Sequence, residues 1–377
     1  MLQIQFDEII QLIKQSRFNA IKAVNTELIN LYWNVGAYLH KKLASAAWGE
    51  KTIDELAGFI QRNHPDLKGF NRRGLYRMKQ FYETYASMAF VKQVITQIDL
   101  VESKNSEIES APRTLMSEQG RIESSLRSQI EISDIRNSIL TKLSWTHHRT
   151  IFSRCKTPEE MEFYIKLCIQ DNYSSRDLDR QISASLFERS MISKSKLSAV
   201  MREKYSEMEY NFLDSYILEF LNLPESHSES DLQNGLIKQM KKFILELGKD
   251  FLFIDEEYKV QVGNSDFYID LLFYHRGLQC LVAFELKSDK FKPEHLGQLN
   301  FYLEALDRDV KKPKENPSIG VLLCKDKDSE VVEYALSRNL SPAMISEYRL
   351  KMPDKAVLQA KLHELFALRE LDSEEPT

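Results

Sequence analysis

The sequence predicts an α+β protein, with an all-α N-terminal half and a C-terminal α/β domain built on a mixed central sheet. Three observations carry this. Across residues 19–43, Ile21, Val24, Leu28, Leu31, Tyr32, Val35 and Leu39 recur at the three- and four-residue spacing of one helix face. Two apolar runs, DFYIDLLFY at 266–274 and LVAFELK at 281–287, read as strands joined by a short turn at His275, Arg276 and Gly277. A helical pattern at 293–303 then leads into a third apolar run, IGVLLC at 319–324.

In chain order, residues 1–98 form a helical domain. It opens with helices over 6–14 and 19–43, for which Trp33 and Trp48 serve as packing anchors. The amphipathic segment 52–60 is followed by a turn containing Pro65, Asp66 and Gly69, then by a basic helix that Asn71 can cap. Net charge over the chain is -5, yet residues 1–80 carry twelve Lys/Arg against seven Asp/Glu, so the basic excess is local. Leu75, Met78 and Tyr82 share one side of the basic helix, and Arg72, Arg73, Arg77 and Lys79 lie largely elsewhere. Helix, turn, basic helix is the layout of a helix-turn-helix DNA reader, and equally of an ordinary helical hairpin with a solvated basic face.

Residues 99–137 change to Ser, Glu, Gln and Arg without aromatics and read as a linker or loose insert. Residues 138–223 form a helical connecting region. Order resumes near Leu143, with Ser144 or Thr146 as a cap, and adjacent His147 and His148 diverge on a helix. Arg176 and Arg180 lie one turn apart and could grip phosphates, although pairing with Asp177 or Asp179 is the simpler expectation. Residues 205–223 read as an apolar connecting helix, and 224–230 as a polar break. The C-terminal domain, 224–370, holds a helix at about 231–248, a strand from 251, the hairpin, the 293–303 helix, the 319–324 strand, a helix at 329–339 and a last strand at 344–350. Residues 371–377 are an acidic tail, expected to be disordered.

Charge in the apolar strands points to chemistry. Asp270 is followed by three apolar residues and Glu285 is preceded by four, so neither belongs to a polar outer face. Symmetric pairing about Arg276 and Gly277 puts Asp270 opposite Ala283, on the face of Glu285 and Lys287. Two carboxylates that close repel each other unless a cation sits between them, and a hard divalent metal is the natural occupant. A lysine beside it suits positioning or activating a water against a phosphate. Gln298 and Tyr302, one helical turn apart, share a face that could reach this patch or a phosphate.

On these residues the chain resembles the PD-(D/E)xK, or restriction-endonuclease-like, nucleases, and within them the YhcG-like family with its helical N-terminal domain. The matching strings are DFYIDLLFYH at 266–275, Glu285-Leu286-Lys287, FKPE at 291–294 and GQLNFY at 297–302; the Tyr173-Ser174-Ser175-Arg176 opening of a helix is similar as well. The resemblance implies a restriction-endonuclease-like C-terminal fold in which Asp270 and Glu285 bind Mg²⁺ (or Mn²⁺), Lys287 assists the water and Gln298 supports the site. The first helix of such nucleases often carries an acid, and Gln233 stands where that Glu is expected. A glutamine offers a neutral carbonyl oxygen and no charge, which would weaken metal affinity.

The expected activity is a Mg²⁺-dependent DNA endonuclease whose N-terminal helices hold DNA or a partner. The competing reading is a catalytically weak or inactive nuclease fold serving as a DNA-binding or scaffold subunit of a defence or repair complex. A homo-oligomer is a further expectation. Cys155, Cys168, Cys280 and Cys324 are far apart in apolar patterns, as reduced core thiols are. No run of eighteen apolar residues and no signal-like start occur, so no membrane partner is expected and a cytoplasmic location is the default.

Overall fold

The computed structural model describes residues 2–45, 48–88, 134–192, 198, 201 and 212–373. The chain divides into two units, Met1–Leu178 and Asp179–Thr377.

In the first unit the two expected N-terminal helices are one, α1 (Leu2–Ala44). Nothing between residues 14 and 19 breaks a helix, since Gln15, Ser16, Arg17 and Phe18 include neither glycine nor proline. Its buried stripe is Ile29, Tyr32, Trp33 and Leu39, while Ile21, Val24 and Leu31 of the expected stripe are exposed. The difference lies in where partners pack: α2 (Glu50–Asn63) and α3 (Arg72–Tyr85) join the C-terminal part of α1 in one core, with Ile53, Ala57, Leu75 and Met78. Gly36 sets the approach of α1 to α3, because a Cβ there would lie 2.2 Å from the Met78 carbonyl oxygen. Trp33 packs edge-on against Phe81 and Tyr82 at 5.8 and 4.8 Å. Asn71 caps α3, its side chain accepting from the Gly74 N–H at 2.9 Å.

Most of the expected linker lies outside the described residues. Its last part is ordered against α1: the Ile135 N–H donates to Asn30 Oδ1 at 3.0 Å, and Arg136 pairs with Glu27 at 2.6 Å. A 3₁₀ turn, Ile139–Lys142, leads into α4 (Trp145–Arg154), with Ser144 at the N-cap position. Helix α5 (Pro158–Asp171) starts with Thr157 capping Glu160 and Pro158 in the first turn, and stops at Asn172, which adopts φ 50°. Helix α6 (Ser175–Ser183) follows, with Asp177 accepting from the Ser174 N–H and hydroxyl.

The second unit begins within α6, at Asp179, continues with α7 (Leu186–Ile192) and contains a six-stranded sheet. Its strands are β1 (Ser215–Ile217), β2 (Phe251–Val262), β3 (Ser265–His275), β4 (Cys280–Lys290), β5 (Ile319–Asp326) and β6 (Ala343–Arg349). The order is β1-β6-β5-β4-β3-β2, parallel from β1 to β4 and antiparallel from β4 to β2. The mixed sheet agrees with the sequence, but β1 falls inside the segment read as a connecting helix. Three residues are too few for a period of two to be visible, and the sheet therefore begins upstream of Pro224. The expected helix at 231–248 is two, α8 (Glu229–Lys238) and α9 (Met240–Leu247), parted at Gln239.

Both sheet faces are covered. On one, Phe243 of α9 meets Phe273 and Phe284 edge-on at 5.9 and 5.8 Å. On the other, α10 (His295–Ala305) and α11 (Ser329–Ser337) close a core of Leu272, Ala283, Leu299, Tyr302, Leu322, Val332 and Ile345. Gly320 of β5 lets α10 down onto the sheet, since a Cβ would fall 2.8 Å from the Leu299 side chain. A final helix, α12 (Lys355–Ser373), takes up the first three residues of the expected acidic tail; the remainder lies outside the described residues. All four cysteines are buried, and none is in a disulfide. Among the described residues no helix is long and apolar enough to cross a membrane.

Candidate active site

The site grows out of the β3–β4 hairpin. Its turn is the four residues Arg276, Gly277, Leu278 and Gln279, the last at φ 50°, rather than one centred on Arg276 and Gly277. The pairs run from His275↔Cys280 to Leu271↔Phe284, so Asp270 falls one step further, across from Glu285 instead of Ala283. The displacement is two residues, and a shift of two preserves the face each side chain occupies. Asp270 and Glu285 therefore meet as neighbours across the strands. Asp270 Oδ2 accepts from the Leu286 N–H at 2.7 Å, which fixes that carboxylate against β4.

Glu285 is buried, at 2 % exposure. Its Oε1 accepts from Lys287 Nζ at 2.9 Å, and its Oε2 is buried without any hydrogen-bond partner. Burial, followed by the negative charge of Asp270, pushes the Glu285 carboxyl up to about 7. Burial raises Asp270 too, opposed by the Leu286 N–H and the Lys287 charge. At Lys287 burial works against the ammonium, but Glu285, Glu229 and Asp270 outweigh it and hold the pKa above the ordinary lysine value.

The other expected members come from two helices. Gln233 on α8 donates through Nε2 to the main-chain carbonyl of Asp270 at 3.1 Å. On α10, Gln298 Nε2 donates to the Tyr302 hydroxyl at 2.9 Å. Burial and then the charges of Glu285 and Asp270 raise the Tyr302 pKa, with the Gln298 bond and Lys287 opposing.

Two acids beside the site were not singled out by sequence. Glu229 opens α8, one turn before Gln233, and its Oε2 stands 3.6 Å from Lys287 Nζ. The signal was present: Ser228 and Asp231 form a capping box, which starts a helix at 229 instead of continuing the polar break. The first helix thus does bring an acid to the site, four residues ahead of the expected position. Glu257 of β2 lies between the pairs Glu256↔Leu271 and Tyr258↔Ile269, hence across from Asp270, with φ 45°.

Among the described residues no group of three or more His, Cys, Asp or Glu side chains converges as a metal cage. The donor set that does converge, two carboxylates with one buried oxygen lacking a partner, fits a hard cation that fills its remaining positions with water or phosphate oxygens, as Mg²⁺ does.

The expected phosphate contacts have mixed settings. Arg72 pairs with Asp54 at 2.6 Å and lies over the Tyr76 ring; Lys79 pairs with Glu83 at 2.8 Å. Arg73 and Arg176 are exposed, and Arg77 is half-buried. Arg180 pairs with neither Asp177 nor Asp179. It holds Glu219 at 3.0 Å and Glu246 at 2.8 Å and donates to the Ile217 carbonyl, a structural tie that removes it from the phosphate contacts. Glu246 itself is buried between Arg180 and Arg189. The α2–α3 connection runs through eight residues, His64 to Asn71, against roughly three to four in a helix-turn-helix.

The mixed sheet with its β3–β4 hairpin is that of a restriction-endonuclease-like α+β fold. Residues 209–363 match the model of the YhcG PDDEXK nuclease domain, and residues 8–108 and 126–189 match the DUF1016 N-terminal domain. The two matches follow the order that the YhcG-like resemblance implies. It is 28% identical over 371 residues, covering 94% of this chain and 92% of that protein, to the putative nuclease YhcG of Escherichia coli (strain K12). Two solved structures show faint likeness. A repair endonuclease from Pyrococcus abyssi is 16% identical with a TM-score of 0.23, over 34% of this chain and 49% of that one. The EndoMS–dsDNA2 complex is 18% identical with a TM-score of 0.23, over 34% and 47%. The chain spans about half the length of each, and overlap this slight bears no weight.

Proposed function

We propose that this chain is a metal-dependent DNA endonuclease centred on Asp270, Glu285 and Lys287. The observation that supports it most is Glu285: a buried carboxylate with one oxygen on Lys287, the other without a partner, and Asp270 directly across the strands. Such an arrangement is costly for a protein that puts nothing between the two acids.

Asp270 and Glu285 would hold the cation. A bound divalent cation supplies charge neutralisation on the scissile phosphate and lowers the pKa of a water. Lys287 keeps its proton, because three carboxylates raise its pKa, and so acts as a donor that orients water or a phosphate oxygen rather than as the base. Tyr302 likewise stays protonated, with Gln298 donating to its oxygen, so its own O–H is available to the substrate. Gln233 fixes the Asp270 main chain, and Glu229 adds negative charge at the entrance beside Lys287. Arg72, Arg73, Arg77, Lys79 and Arg176 would engage backbone phosphates, whose attraction is independent of sequence and falls with salt.

The test is incubation with supercoiled, linear, single-stranded and branched DNA in Mg²⁺, Mn²⁺ or EDTA. Cleavage should require a divalent ion and vanish in Asp270→Asn, Glu285→Gln and Lys287→Ala. Full cleavage in EDTA, or by the Glu285 variant, rejects the reading. Wild-type protein that binds DNA but never cuts it would make the fold a binding scaffold.

A further inference from the structure

We propose that Arg149 joins Arg73 and Arg77 in a site for the phosphates of a nucleic-acid backbone, formed where α3 and α4 meet. This rests on the reading of the chain as an enzyme of nucleic acid and adds a residue from a second helix to it. Arg73 and Arg77 stand one turn apart on α3, so they share a face. Helix α4 is fixed against α3 by aromatic contacts: Phe81 with Trp145 at 5.4 Å, Phe81 with His148 at 4.9 Å, and Tyr85 with His148 at 5.5 Å. Arg149 lies one turn on from Trp145, on the face of α4 that meets Phe81, and Phe81 lies one turn on from Arg77.

Three guanidinium groups from two packed helices are an unfavourable grouping unless an anion completes it. Among the described residues no carboxylate forms an ion pair with Arg73, Arg77 or Arg149. By contrast Arg72, Lys79, Arg136, Arg180 and Arg189 each lie within 3.0 Å of one. Arg149 Nε is buried and has no hydrogen-bond acceptor, a vacancy that normally costs free energy. Burial, then the like charges of Arg149 and Arg73, lower the Arg77 pKa, consistent with three cations near each other and no anion among them.

A tetrahedral oxyanion answers all three deficits. It offers several acceptors to planar guanidinium forks, supplies the missing charge, and satisfies the inward Nε. Arg73, being exposed, gives such a phosphate a route in from solvent. Arg73 and Arg77 also sit in the stretch where basic residues are in excess, which favours a polyanion over free phosphate.

The experiment measures binding of a fluorescein-labelled DNA duplex to the full chain in EDTA across a salt series. Arg77→Gln and Arg149→Gln should each weaken binding about tenfold and lower the slope of log affinity against log salt by about one, and the double variant by about two. Arg149→Lys, which keeps the stem and the charge, should hold the wild-type slope with weaker binding, and it carries the test should the glutamine variants fail to fold. Lys166→Gln, at an exposed lysine paired with Glu162, should change nothing. Wild-type affinity and slope in the double variant, with wild-type protein still cutting DNA, overturns this site alone. Inorganic phosphate binding through these arginines with no DNA binding also overturns it. No binding and no cleavage by the wild type overturns both this site and the nuclease reading.

Discussion

Glu285→Gln makes the metal-free protein more stable at alkaline pH. In the folded chain this carboxyl is pushed from an ordinary 4.5 up to about 7. A raised folded pKa means that the native state holds the proton more tightly than the unfolded one. The associated stability is fully present below 4.5 and is lost as pH rises through 7, amounting to about 3 kcal/mol at pH 8. The residue is buried, so solvent screening takes little from that figure. Glutamine reproduces the protonated form: it keeps an oxygen for Lys287 Nζ and brings no charge to Asp270. Denaturant unfolding in EDTA should therefore place the variant above wild type by up to about 3 kcal/mol at pH 8, with the gap closing toward pH 4.5. Adding Mg²⁺ should raise wild type and leave the variant where it was, since binding to the native state alone stabilises. A variant less stable than wild type at pH 8 in EDTA would refute the electrostatic account of the site.

His148 is buried, with Nε2 donating to the Leu140 carbonyl at 2.9 Å, and burial lowers its pKa to about 4. Its contribution is present above 6.5 and lost as pH falls through 4, about 3 kcal/mol in all, so His148→Phe should flatten acid unfolding of the first unit; an unchanged pH slope counts against it. Glu246→Leu takes from Arg189 its carboxylate and leaves Arg180 with Glu219 alone, and should cost roughly 3–5 kcal/mol in urea unfolding, whereas a loss under about 1 kcal/mol would mean that Arg189 finds another partner. Gly36→Ala drives a methyl into the Met78 main chain and should destabilise the first unit by about 1–3 kcal/mol, read as a lowered thermal midpoint; a neutral result would deny the close α1–α3 approach.

The core of the second unit was legible because its strands are near-continuous apolar runs, in which Asp270 and Glu285 stand out as misplaced charge. The register was not. Leu278 is apolar and 3 % exposed, so nothing in its chemistry marks it as a turn residue, and the four-residue turn moved the pairing by two positions without changing the face. Glu229 was missed because it lies within the segment read as a polar break, although Ser228 and Asp231 spell a helix start. For α1 the stripe held from Leu28 through Tyr32, Val35 and Leu39 but not at its N-terminal end: Ile21 and Val24 repeat like core residues, but burial depends on where α2 and α3 end, which no local pattern encodes. Arg180 shows the same limit, since its partners Glu219 and Glu246 are distant in sequence and brought near only by the fold.

Asp270 and Glu285 are proposed to hold a divalent cation which Lys287 serves without binding. Calorimetric titration of the full chain with Mn²⁺ tests this directly. Wild type and Lys287→Met should bind the ion, and Asp270→Asn and Glu285→Gln should lose it. Equal Mn²⁺ binding by wild type and both acid variants would place the cation elsewhere and contradict the account.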